Sequence, residues 1–199
     1  MGSRMGSKAM RRIFFALDVS MAGRRALQEA MLRVAAHPVA ERLRLHFTAV
    51  ESLHNTLKFV GNVPTETVNA LVADAKRLPL PALELPSEWA GLDAFPSPDR
   101  ARVLVARAAD PSGEITELAA AFEEMCSAHG VAREARPYTL HVTLARLRVP
   151  SNVRALCDEP LHGAFTMGPV VLYESLLSPN GSSYAPLWKS TELEAPGER

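Results

Sequence analysis

Apolar and polar positions alternate along this chain in two rhythms, one of period two and one of period 3.6. The run RIFFALDV from Arg12 to Val19 is rich in strand formers, and Ser20 then stands as the cap of a helix whose Leu27, Met31 and Val34 share one face before Pro38. The run RLRLHFT sets Leu43, Leu45 and Phe47 against Arg44, His46 and Thr48, which predicts a half-buried antiparallel strand. A second strand is predicted from His54 to Val60, ending at Gly61-Asn62. Thr65 is placed to cap a helix with Glu66 early and Lys76 and Arg77 late, as the macrodipole favours, with Val68, Leu71, Val72 and Ala75 inward. Pro79 and Pro81 stop it, and the stretch holding Gly91, Pro96 and Pro98 reads as a loop.

The run RVLVARA predicts a strand, and Asp110-Pro111 supplies an N-cap and a first-turn proline for a helix that buries Ile115, Leu118, Phe122 and Met125. Gly130 fits its left-handed end, and a strand follows from about Thr139 to Leu147. A short helix near Val153 precedes VVLYESLL and SYAPLWK, which flank Pro179-Asn180-Gly181 as a hairpin would. Strand, helix, strand thus occurs twice, around 12–60 and 102–147, as a weak internal duplication. Antiparallel-looking strands with intervening helices predict an α+β fold, and no GxGxxG or phosphate-loop pattern supports a nucleotide fold. Residues 1–10 read as a disordered leader and 11–199 as a single domain.

Composition narrows the classes of partner. The 199 residues are 47% apolar, and Lys+Arg equals Asp+Glu at 22 each, so a polyanion must be met by a local patch and not by a field of one sign. Nowhere does an apolar stretch approach the roughly 20 residues needed to span a bilayer, which excludes a membrane-spanning protein. Cys126 and Cys157 are far apart with no CxxC spacing, a usage that fits a reduced cytoplasm; each reads as a small apolar filler.

One four-residue pattern appears twice, as His54-Asn55-Thr56-Leu57 and His141-Val142-Thr143-Leu144, each on a predicted strand. Side chains at i and i+2 project from one face, so each copy presents an imidazole beside a hydroxyl while its leucine points the other way. A solitary His-x-Thr is more often structural than catalytic; the repetition in comparable halves is what points to a site. Two imidazoles facing across a cleft can supply an acid and a base near neutrality, and a cyclic phosphodiester needs both: a base for the attacking water and an acid for the leaving alkoxide. Thr56 and Thr143 could donate to the non-bridging oxygens, and no metal or other cofactor is required. Zinc ligation lacks a third ligand at customary spacing. His46 falls on a polar face, and His37, His129 and His162 fall at loops or helix ends. Lys58 reads either as a groove cation or as an exposed strand lysine, and strict alternation sets Arg146 on the face away from His141. Phe14, Phe15, Tyr138 and Tyr184 could stack a base, though burial is the commoner fate of strand aromatics.

The strings RIFFALDV, HNTLKFVG, GLDAFPSPDRARVL, RPYTLHVTLARL and LYESLLSPNGSSY are individually modest. In this order, over most of the chain, they resemble the RNA 2′,3′-cyclic phosphodiesterase (2′-5′ RNA ligase-like) branch of the two-histidine phosphoesterases. The resemblance implies two lobes related by a pseudo-twofold, each an antiparallel sheet backed by helices, around a groove lined by the two motifs. It implies that His54 is the proton donor to O3′, that His141 is the proton acceptor from water, and that Thr56, Thr143 and Arg146 hold the phosphate. Recruiting Arg146 requires a bulge, twist or strand end near Ala145. Asn55 and Leu140 depart from the pattern, standing where an apolar residue and a proline are usual. The expected partner is RNA with a 2′,3′-cyclic phosphate end, with 2′-5′ ligation as the reverse reaction; a monomer without an obligate protein partner or membrane is expected. Two other readings stay open: an RNA-end binding module without turnover, and a phosphodiesterase for small cyclic nucleotides.

Overall fold

The computed structural model describes residues 9–80, 84–178 and 181–191. Its elements in chain order are β1 (Met10–Val19), α1 (Met21–Ala36), α2 (Pro38–Leu43), β2 (His46–Phe47), β3 (His54–Pro64), α3 (Thr65–Ala75), β4 (Leu85–Phe95), β5 (Ala101–Ala109), α4 (Glu114–Ala128), β6 (His141–Ser151), α5 (Arg154–Cys157), β7 (Ala164–Ser178) and β8 (Gly181–Lys189). The strands form one eight-stranded sheet in the order β1-β3-β6-β5-β4-β7-β8, with β2 on β6 and a further pairing of β1 with β7. All described pairings are antiparallel, as the alternating patterns predict.

The long strand β7 joins two halves. Its first residues, Ala164–Met167, pair with β4, and Met167–Glu174 pair with β1. Among the described residues β3 and β6 touch at a single register pair, Asn55 with Val142, and then part, while β2 lies along β6 beyond that point. Helices pack on the outer faces: α1 on β7, α3 and α4 on β3, and α5 on β4. The core between them holds Ile13, Phe15, Leu17, Leu27, Leu71, Phe122 and Leu144, each at most 1% exposed. Burying side chains of this kind stabilises by about 1.5–3 kcal/mol apiece. Among the described residues no helix is long and apolar enough to cross a membrane.

The rhythm of the sequence is overruled in several places. The alternating RLRLHFT is mostly not strand: Pro38 starts the short helix α2, Arg44 takes a left-handed φ of 48°, and only His46–Phe47 pair, with both side chains exposed. The supposed loop around Gly91 is the strand β4, bulged between Trp89 and Leu92, with Gly91 supplying the positive φ of 95°. Strand β3 likewise runs through Gly61-Asn62, because Gly61 at φ 85° sits in a bulge opposite Ile13. Thr65 is the first residue of α3 and not its cap; its hydroxyl donates to the Ala9 carbonyl. Asp110 lies a turn before α4, whose N-cap is Gly113, yet its carboxylate accepts from the Thr116 amide at 2.8 Å and so does a cap's work. The hairpin of β7 and β8 is present, while its turn residues Pro179 and Asn180 and residues 1–8 of the leader read over 1–10 lie outside the described residues; Met10 of that stretch already belongs to β1, opposite Pro64.

Candidate active site

His54 opens β3 and His141 opens β6, on either side of the Asn55–Val142 contact. Asn55 and Val142 are fully buried, so alternation sends His54, Thr56, His141 and Thr143 to the other face, where all four are half-buried. The rings are held alike. His54 Nδ1 lies 2.7 Å from the Ser52 carbonyl and His141 Nδ1 lies 2.7 Å from the Thr139 carbonyl. A carbonyl can only accept, so Nδ1 carries the hydrogen in both, and Nε2 is left as the atom that can take or give a proton.

Matching bulges follow each motif. The β1–β3 register slips between Phe15–Lys58 and Ala16–Thr56, leaving Leu57 extra; the β5–β6 register slips between Leu104–Ala145 and Val105–Thr143, leaving Leu144 extra. Beyond a bulge the faces exchange. Arg146 is thereby exposed on the same face as His141, which removes the conflict between strict alternation and the resemblance. Phe59 is its counterpart in the first motif, 40% exposed. Lys58, carried to the core side, is neither a groove cation nor exposed: it is 1% exposed, with Nζ 2.8 Å from Glu123 Oε2 and 2.8 Å from the Ala132 carbonyl.

The cleft between the strands is lined by Arg12, Phe14, Thr48, Ser52, His54, Thr56, Phe59, Thr143, Arg146, Ser175 and Tyr184, with an empty volume of about 800 Å³ shared with open solvent. No carboxylate is among these side chains, and both guanidiniums lack an ion-pair partner among the described residues. The neutral protein therefore carries a local cationic patch. The hydroxyls of Thr56 and Thr143 make no hydrogen bond to described residues. His141 stands two residues from Thr143 on the same strand face, its ring edge-on to Phe95 with centroids 5.0 Å apart.

The two imidazoles differ in what faces them. Phe14 lies 4.9 Å and Tyr184 5.1 Å from the His54 ring, and this burial is the main reason its pKa is lowered. The Ser52 carbonyl and the Asp18 carboxylate oppose that shift, while Arg24 and His141 add to it. His141 also has a lowered pKa, first through burial, with Thr139 opposing and Arg107 reinforcing the shift. The registers place Asp18 directly opposite His54 and Arg107 directly opposite His141. Equivalent positions of the two halves thus carry opposite charges. Asp18 is fixed by the Tyr173 hydroxyl at 2.7 Å and by Arg24 at 3.7 Å, and Arg107 lies 3.7 Å from Asp93. Arg24 also donates to the Val19 and Val50 carbonyls, anchoring the turn that presents the Ser52 carbonyl.

Of the residues picked out by sequence, His54, Thr56, Thr143 and Arg146 line one cleft and His141 shares their face. Tyr184 and Phe14 line it, whereas Phe15 packs on Phe122 in the core and Tyr138 donates to Asn55 Oδ1 at 2.6 Å. His37 accepts from the Val39 amide, and His129 pairs with Asp74 at 2.7 Å. Burial pushes the Cys126 thiol up to about 12 and the Cys157 thiol up to about 11, the opposite of a nucleophile. Arg12, Asp18, Arg107 and Phe59 were not found by sequence reasoning, and Asn55 was noted only as a departure from the pattern, not as the donor to the His141 carbonyl. The cross-strand partners are separated from the motifs by dozens of residues, and only the register brings them in.

Two strands that meet at one register pair and present an HxT motif each on the same face are the arrangement of a two-histidine phosphoesterase. A family model described as the 2′-5′ RNA ligase superfamily matches residues 21–168, and the chain belongs to that family. Over 146 residues, 70% of this chain and 81% of the relative, it is 31% identical to the RNA 2′,3′-cyclic phosphodiesterase of Aeropyrum pernix. Over 140 residues, 67% of this chain and 77% of the relative, it is 28% identical to a protein of the same name from Methanocaldococcus jannaschii. Among solved structures, LigT of E. coli complexed with 3′-AMP has a TM-score of 0.73 at 25% identity, covering 92% of this chain and 100% of that one. TT0787 of Thermus thermophilus shares the fold with a TM-score of 0.74 at 24% identity, covering 89% and 96%.

Proposed function

We propose that this protein hydrolyses the 2′,3′-cyclic phosphate end of RNA to a 2′-phosphate end, with His54 as general acid and His141 as general base. Water attacks phosphorus while His141 Nε2 takes its proton; the P–O3′ bond breaks, and His54 Nε2 protonates the departing O3′. Thr56, Thr143 and Arg146 hold the non-bridging oxygens, where charge accumulates. The observation that carries this reading is the matched pair of imidazoles, each tethered through Nδ1 to a carbonyl two residues upstream, on strands that share one cleft. Their order is supported by the opposed charges across the register. A carboxylate beside His54 favours its protonated form, and a guanidinium beside His141 favours its neutral form. The names of the curated relatives support the substrate. With the 5′-hydroxyl of a second RNA in the place of water, the same groups make a 2′-5′ linkage; cleaving that linkage back to the cyclic end exchanges their roles.

The test is cleavage of a cyclic-ended oligoribonucleotide in EDTA by wild type, His54→Ala and His141→Ala. Each substitution is expected to cost about 10²–10⁴-fold in rate, as loss of a general acid or base does. Wild-type turnover in either variant removes that histidine from the chemistry, and full loss of wild-type activity in EDTA overturns the metal-free mechanism. A chain that protects the cyclic end instead of converting it to a monoester is a binding module.

A further inference from the structure

Arg12 lies on β1 opposite Asn62, beyond Phe59 as seen from His54, and its guanidinium carbon is 5.0 Å above the Phe59 ring centroid. Stacking on a ring fixes a guanidinium and leaves its N–H fork free in the plane. That fork is unspent. Arg12 has no ion-pair or hydrogen-bond partner among the described residues, and its Nε is sealed from water without one. Its neighbour Arg11, by contrast, is paired with Glu174 at 3.4 Å. A buried donor left unmatched is destabilising, so a polar group of a ligand is the natural partner.

The position also differs from that of Arg146. From the Asn55–Val142 contact, β3 carries Phe59 one way and β6 carries Arg146 the other, four residues each. With a bulge in each path, their backbones stand roughly 20 Å apart along the strands. Arg146 and the two threonines already suffice for a cyclic phosphate, which bears one negative charge. We propose that Arg12, held on Phe59, is a second subsite that takes the phosphodiester one nucleotide 5′ of the cyclic end. The inference rests on the activity proposed above and names the part of the RNA that the opposite end of the cleft grips. It makes the protein a reader of chain, and not of a lone nucleotide.

The experiment compares kcat/KM for a 2′,3′-cyclic mononucleotide lacking a 5′-phosphate with that for an oligoribonucleotide bearing the same cyclic end, in wild type, Arg12→Gln and Phe59→Leu. Wild type is expected to favour the oligonucleotide, and Arg12→Gln to cut the oligonucleotide-to-mononucleotide ratio by about 10-fold or more, as loss of a charge-assisted hydrogen bond does. Phe59→Leu is expected to lower the same ratio by a smaller factor. The slope of log kcat/KM against log salt on the oligonucleotide is expected to flatten by about 0.7 in Arg12→Gln, one phosphate contact on a single strand. An unchanged ratio overturns the subsite, whether Arg12→Gln loses equally on both substrates or on neither. A wild type inactive on both substrates overturns the activity itself and the subsite with it, so the two failures are told apart.

Discussion

Replacing Asp18 by Asn should move one limb of the pH profile and leave the other in place. The substitution keeps an acceptor for the Tyr173 hydroxyl, now 2.7 Å from Oδ1, and removes only the charge opposite His54. Residues directly opposed on antiparallel strands have Cβ atoms about 4.5–5.5 Å apart. A carboxylate and an imidazolium at about 6 Å then interact by roughly 2–3 kcal/mol at an effective dielectric near 20. Arg24, 3.7 Å from the same carboxylate, takes part of that field, leaving about 1–1.5 kcal/mol, close to tenfold. The sign follows from the role. His54 as general acid works when protonated; losing Asp18 makes its proton leave at lower pH, so the falling limb of kcat/KM should shift acidward. Above that limb the variant should be about tenfold slower than wild type, and below it equal. Arg107→Gln is the mirror experiment. It removes a cation from beside His141 and leaves Asp93 in the neighbourhood, so His141 should hold its proton to higher pH and the rising limb should shift alkaline. The assay is kcat/KM on a cyclic-ended oligoribonucleotide across pH 4–9, with circular dichroism at each pH to confirm folding. A shift of the rising limb in Asp18→Asn would reverse the acid and base assignments, and stationary limbs in both variants would refute the electrostatic argument.

Because burial lowers the pKa of both histidines, the wild-type kcat/KM profile should peak below the ordinary histidine value of about 6.5, which a pH series on the same substrate measures. Lys58→Met leaves the Ala132 carbonyl without its donor and Glu123, 23% exposed, without its cation; unfolding in urea should register a loss of about 2 kcal/mol, below the full penalty of a wholly buried pair. In Gly23→Ala the new methyl would lie 2.7 Å from both Val19 Cγ1 and Phe165 Cδ2, so overpacking of α1 against the sheet should outweigh the better helix propensity and lower stability by about 1–2 kcal/mol in the same assay. Asn55→Leu strips the Tyr138 hydroxyl and the His141 carbonyl of their partner at the β3–β6 register pair; it should cost about 1–3 kcal/mol and reduce kcat more than KM worsens, because the two motifs lose their tie.

Where local chemistry decides, the sequence was legible. The Ser20 hydroxyl accepts from the Gly23 amide as a cap should, α1 buries Leu27, Met31 and Val34, and Gly130 closes α4 at φ 77°. The motif pair was legible because period-two alternation holds from His54 to Thr56 and from His141 to Thr143. Alternation fails one residue later, at bulges that are properties of pairing and leave no mark on a single strand. Hence Arg146 could be recruited only through the family resemblance, and Phe59 and Lys58 not at all. Strand β4 was lost to Gly91, which with Pro96 and Pro98 reads as loop until a bulge and its pairing partners accommodate it. The strand predicted over Arg42–Thr48 was lost for the converse reason: its alternation is real, but Pro38 and the left-handed Arg44 fold most of it away from any partner.

In a duplicated fold two equivalent imidazoles are interchangeable as acid and base until the substrate or their surroundings distinguish them. Repetition here supplies the geometry, namely equal tethers, equal bulges and hydroxyls at equal offsets. Direction enters where equivalent positions diverge: Asp18 against Arg107 beside the rings, and Phe59 against Arg146 at the ends of the cleft. The first divergence favours a proton on His54 and its absence from His141. The second leaves one end of the cleft to a bare guanidinium and the other to an arginine laid on a ring. An RNA end is itself asymmetric, with a strained phosphate at its terminus and an ordinary diester behind it. On the proposed reading, the charged and aromatic positions at which the two halves differ are the ones that would distinguish the terminal phosphate from the diester behind it.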